Sequence, residues 1–123
     1  DVTWAWAHLL PREATLWNRL AVADRRHSIA VARRFVELAP EASPAHIAGA
    51  LLHDVGKVEA DLGTLGRVMA TVVGPRTERF RSYRDHEAIG VRLLEVAGSD
   101  PATIALVGSS GPLAAALRAA DDV

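Results

Sequence analysis

The chain reads as an all-α protein, a compact single-domain bundle of about seven or eight helices. Three observations lead there. Apolar residues recur with a period near 3.6 in nearly every segment, and no stretch shows the alternation of a half-buried strand. Pro stands in the first turn of several segments and Gly just past their ends, the order in which helices use these residues. The 123 residues are 50% hydrophobic and 24% charged, the balance and length of one globular core.

Each element follows from its own signals. A first helix is expected over about 2–9, opening with Trp4 and Trp6. Pro11 suits the first turn of a second helix bearing Leu16, Trp17 and Leu20. A third runs from about Asp24 to Ala39 and stops before Pro40. Ser43 and Pro44 form an N-cap and N1 pair for a fourth, which continues through Leu51 and Leu52 to about Val55 and ends at Gly56. Glu59 to Gly66 is punctuated by Gly and reads as a loop, followed by an apolar helix over about Arg67–Val73 that Gly74-Pro75 breaks. A long helix from about Thr77 to Ala97 stops at Gly98. Asp100-Pro101 starts a short one, Gly108 to Pro112 forms a loop, and Leu113 to Val123 is helical again. No internal repeat, linker or low-complexity tract interrupts this order.

Composition narrows the function classes. A net charge of −1 gives no global attraction to nucleic acid or membrane surfaces. No apolar run approaches the roughly 18–20 residues that span a bilayer, and the first residues lack a signal-peptide pattern, so a cytoplasmic location is expected. The chain contains no Cys, which removes disulfides, zinc–thiolate sites and thiol catalysis together. The basic residues are thirteen Arg and one Lys, which draws attention to that one, Lys57.

The chemistry concentrates on His and Asp. His27 shares a helix face with Val31, Phe35 and Leu38 and is expected to point inward. His53 and Asp54 follow the apolar run Ala48-Gly49-Ala50-Leu51-Leu52. A carboxylate and an imidazole buried together are costly unless paired or bound to a cation, and both are good ligands for a divalent metal. Asp121 continues the stripe Leu113, Leu117, whereas Asp122 follows Arg118 by four and suggests an exposed ion pair. His86 shares its side with Ile89, Gly90 and Leu93; a second cation, a phosphate or the core could be its partner. His46, near a helix start, suits an exposed or capping role, and His8, on the face of Trp4, a structural one. Arg25 and Arg26 flank His27, Arg76, Arg79, Arg81 and Arg84 precede His86, and Arg67 is a further basic residue; phosphate binding and a solvated face are both open to them.

These blocks resemble the HD superfamily of metal-dependent phosphohydrolases. The resemblance lies in Asp24-Arg25-Arg26-His27-Ser28, then Leu51-Leu52-His53-Asp54-Val55-Gly56-Lys57, then His86-Glu87-Ala88-Ile89-Gly90, then Leu117-Arg118-Ala119-Ala120-Asp121-Asp122, and spans about 24–122. It implies a single HD-type domain over 1–123, with the metal-site core at about 24–122 and the helices of 1–20 packed on it. It implies that His27, His53, Asp54 and Asp121 hold one divalent ion (Mn, Fe, Co, Ni, Zn or Mg), with Asp54 and Lys57 in catalysis. His86 matches the first ligand of a second metal, for which Arg26, Arg67 and Arg84 are alternative phosphate-side partners. The His-His pair that completes a second site in many members is replaced by Val107-Gly108-Ser109-Ser110-Gly111, so one metal is expected. The implied function is a phosphatase or phosphodiesterase acting on a nucleotide or other small phosphoester, without nucleic-acid or membrane partners. The alternative is a catalytically impaired HD-fold module that binds metal or nucleotide in signalling or assembly.

Overall fold

The computed structural model describes residues 1–58 and 78–122, with the side chains of 78–85 outside that description. Among the described residues there are seven helices and no strand. They are α1 (Val2–Ala7), α2 (Pro11–Asn18), α3 (Val22–Leu38), α4 (Pro44–Leu51), α5 (Glu78–Ala97), α6 (Pro101–Val107) and α7 (Ala114–Asp121). The loop expected over 59–66 and the helix expected over 67–73 lie outside the described residues. No described helix is long and apolar enough to cross a membrane.

Helix α4 forms the centre. It packs against α3 on one side and α6 on another; α3 also packs on α7, and α6 on α5. Ala48, Ala50, Leu51, Leu52 and Val55 are all buried there, against Val31, Ala32 and Phe35 of α3 and Leu106 of α6. Removing such aliphatic and aromatic side chains from water stabilises by about 1.5–3 kcal/mol each. Gly49 permits the close approach of α6, since a Cβ there would lie 3.0 Å from Leu106.

Local signals set the helix ends. Ser43 Oγ accepts from the His46 backbone N–H, and His46 Nδ1 lies 3.3 Å from the Ser43 backbone nitrogen, so His46 takes the part that Glu plays in a capping box. Asp100 Oδ1 accepts from the Ala102 N–H at the start of α6. Gly98, at φ +76°, ends α5, with the Ser99 N–H donating to the Leu94 carbonyl and the Gly98 N–H to that of Glu95, a Schellman closure. The same pattern ends α6: Ser110 N–H to Ala105, Ser109 N–H to Leu106, with Ser109 at φ 61° in the place Gly usually takes.

Helices α1 and α2 dock on this core. Trp17 is fully buried and its Nε1–H donates to Ser28 Oγ on α3 at 2.9 Å. Glu13 is buried as well; its carboxylate accepts from the Leu10 N–H and, at 2.6 Å, from Ser99 Oγ after α5. On the other flank Arg33 lies over the Trp4 ring and pairs with Asp1. His8 Nδ1–H donates to the Trp4 carbonyl.

The end of α4 differs instructively from the expectation. α4 ends at Leu51 rather than near Val55, because Val55, Lys57 and Val58 each donate three residues back, to Leu52, Asp54 and Val55. These tighter turns carry His53 and Asp54 off the helix cylinder. Gly56 does not cap the helix through a left-handed conformation. It is needed instead for space: a Cβ there would lie 1.9 Å from the His86 carbonyl oxygen of α5. Leu38, expected on the inward face of α3, is 55% exposed at that helix's end.

Candidate metal centre

Three elements bring the site together. α3 supplies His27, the tight turns after α4 supply His53, Asp54 and Lys57, and Asp121 is the last residue of α7. His53 Nδ1 lies 2.7 Å from the Ala50 carbonyl. A carbonyl only accepts, so Nδ1 carries the proton and Nε2 is left as the free ring nitrogen of neutral His53. That bond also satisfies one of the carbonyls stranded at the end of α4.

His53 Nε2 is buried and has no hydrogen-bond partner. Its neighbours are carboxylate oxygens, Asp54 Oδ2 at 3.3 Å and Asp121 Oδ1 at 3.4 Å, both within ion-pair range but outside hydrogen-bond geometry. Asp121 Oδ1 also meets His27 Nε2 at 2.9 Å. One ligand atom from each of His27, His53 and Asp121 thus falls within 4.8 Å of the others. Asp54 lies outside that group and meets it through His53 Nε2 at 3.3 Å.

The charges are strongly coupled. Burial pushes His53 toward the neutral form and is the largest single influence. The Asp54 carboxylate, the Ala50 carbonyl and Asp121 together outweigh it, so the imidazole pKa is raised above its ordinary 6.5. For Asp54 burial again opposes the charged form, yet His53 and Lys57 hold its carboxyl down at about 2. Lys57 Nζ sits 3.5 Å from Asp54 Oδ2 and 3.6 Å from Asp24 Oδ1. These carboxylates raise its pKa against the opposing effect of burial.

A cavity of about 330 Å³ opens over the cluster, lined by His27, His53, Asp54, Lys57 and Asp121 together with His86, Glu87, Ser109 and Arg118, and by apolar Leu106, Val107 and Leu117. The structure therefore gathers the five residues read from the His and Asp blocks, with His86 on the same cavity. Arg26 is elsewhere: it is exposed and lines grooves beside Val2 and Ile29. One step along a helix turns a side chain by about 100°, which carries Arg26 away from the side His27 occupies. Arg67 and Arg76 lie outside the described residues, as do the side chains of Arg79, Arg81 and Arg84. The Arg118–Asp122 ion pair does not form; Arg118 borders the cavity instead.

Sequence reasoning missed Asp24, Glu87, Ser109 and Arg118. Asp24 had a signal, since it precedes His27 by three and lies on the same side of α3. Ser109 had none in its local sequence, for its place depends on how α6 meets α5.

Comparison with protein-family models, curated proteins and solved structures gave no match.

Proposed function

We propose that this chain is a metal-dependent phosphohydrolase of the HD type, acting on a nucleotide or other small phosphoester. The observation that carries the reading is the buried, unpartnered Nε2 of His53 facing Asp121 Oδ1. A buried polar atom without a partner costs about 1–3 kcal/mol, and here it stands among a second imidazole and two carboxylates. Imidazole nitrogens and carboxylate oxygens are the donor set of a first-row divalent cation. His53 Nδ1–H on a backbone carbonyl is the outer-shell bond that orients a ligating imidazole.

His27, His53, Asp54 and Asp121 would hold the ion, which would polarise a phosphoryl oxygen and make hydroxide available near neutral pH. Asp54, ionised across the working range, can ligate or accept a proton without first losing one. Lys57, kept charged between Asp24 and Asp54, borders the cavity where a phosphoryl group would lie. His86 and Arg118 offer further donors to its oxygens.

The test uses purified protein with added Mn²⁺ or Co²⁺ and a panel of phosphomonoesters and phosphodiesters. Hydrolysis that Asp54→Ala abolishes supports the reading. A second reading, a module that binds metal or nucleotide without turnover, is favoured by one observation: among the described residues His86 is not part of the close ligand group. Bound metal with no turnover across the panel would select it.

A further inference from the structure

Glu87 and Ser109 form a pair on the wall of the same cavity that the metal reading leaves unused. Ser109 Oγ donates to Glu87 Oε2 at 3.0 Å, joining the end of α6 to α5. Ser109 does this from a left-handed conformation, φ 61°, at the closing position of α6. Gly is the favoured residue there, and a residue with a Cβ costs roughly 1 kcal/mol more. A serine in a glycine place, with its hydroxyl on a carboxylate, points to a task beyond ending the helix.

The carboxylate itself is unexpected in a phosphoester pocket. Asp54 and Asp121 are already present, and Glu87 is outside the close ligand group. Of the lining cations, Lys57 is held by Asp24 and Asp54, and only Arg118 forms no ion pair among the described residues. A further phosphate would therefore meet Glu87 with little compensating charge. What a carboxylate accepts is hydrogen-bond donors, and neighbouring hydroxyls suit its two oxygens.

We propose that Glu87, aimed by Ser109, determines specificity by binding hydroxyl groups of the leaving group, so that the site takes monophosphates of sugars or nucleosides. This rests on the phosphohydrolase reading above. Glu87 touches the substrate; Ser109 is a positioning residue acting through it.

The test compares adenosine 5′-monophosphate with its 2′,3′-dideoxy analogue on the Mn²⁺-loaded full chain, by calorimetric binding and by kcat/KM. The hydroxylated ester should be preferred about tenfold, the size of one hydrogen bond to a charged group, and over adenosine diphosphate as well. Glu87→Ala, Ser109→Ala and Ser109→Gly should each bring the dideoxy ratio toward one. Ser109→Gly should at the same time melt higher than Ser109→Ala, because glycine relieves the backbone. Selectivity then follows the hydroxyl while stability follows the conformation. A dideoxy ester handled like its parent, or a ratio that survives in Glu87→Ala, overturns the proposal. A ratio kept in both Ser109 variants overturns the positioning role. Hydrolysis without discrimination sinks this inference alone; discrimination in binding without hydrolysis sinks only the phosphohydrolase reading. Absence of binding by either ester overturns both.

Discussion

His53 Nε2 and Asp121 Oδ1 face each other at 3.4 Å, one just past the end of α4 and the other in the last turn of α7. Helix C-termini carry roughly half a negative charge, so two helix ends and two carboxylates converge on one free imidazole nitrogen. The arrangement favours a positive charge, supplied either by a proton on His53 or by a metal ion.

Metal should therefore stabilise the fold. At a hundredfold excess over Kd a divalent ion that binds only the native state contributes about 2.7 kcal/mol, roughly 10 °C in Tm for a chain of this size. We expect Mn²⁺, Co²⁺ or Zn²⁺ to raise Tm and EDTA to reverse it. Asp121→Asn and His53→Gln should remove most of the shift. An unchanged melting curve with all three ions would dispose of the metal centre.

The pH dependence separates the proton from the metal. Because the folded pKa of His53 lies above 6.5, its contribution is fully present below 6.5 and is lost as pH rises through the raised value. Metal needs the neutral ring, so its stabilisation should grow over the same interval. For Asp54 the sign is opposite: its contribution is present above the ordinary 3.8 and is lost as pH falls toward about 2. Thermal melts from pH 5 to 9, with wild type compared against His53→Gln in the presence and absence of Mn²⁺, check the His53 part. Parallel curves with and without metal would contradict it.

Much of the site was legible because side chains on and beside helices follow periodicity. Asp121 was separated from Asp122 by the stripe Leu113, Leu117, and it is Asp121 that meets His27 and His53. The helical class and most segment borders were legible for the same reason, through Pro11, Ser43-Pro44, Gly98 and Asp100-Pro101. The end of α4 was not, since its apolar pattern runs on through Val55 while the hydrogen bonds tighten. Nor was the place of Glu87, Ser109 and Arg118, which face the cavity because of how α5, α6 and α7 pack.

Gly56 gives a test of that packing. Gly56→Ala would force a Cβ against the His86 backbone carbonyl, and neither backbone can yield cheaply. We expect a loss of about 2–4 kcal/mol, at or above the usual cost of overpacking. Gly98→Ala, where only the φ of +76° is at issue and nothing lies within 4 Å, should cost about 1–2 kcal/mol. Urea unfolding of both variants measures the difference, and an equal or smaller loss for Gly56→Ala would show that the contact with the His86 carbonyl is relieved at little cost.

The buried Glu13 provides the last test, away from the site. Glu13 is 1% exposed, and its carboxyl oxygens accept from the Leu10 N–H and Ser99 Oγ. Ser99→Ala removes the shorter bond and leaves a buried carboxyl group short of a donor, a loss of about 1–3 kcal/mol. Glu13→Gln keeps the shape and lowers the cost of burial, so the effect of Ser99→Ala should shrink in its presence. A double-mutant cycle by urea denaturation gives the coupling. A coupling near zero would mean that Ser99 and Glu13 stabilise the α2–α5 junction independently rather than through their hydrogen bond.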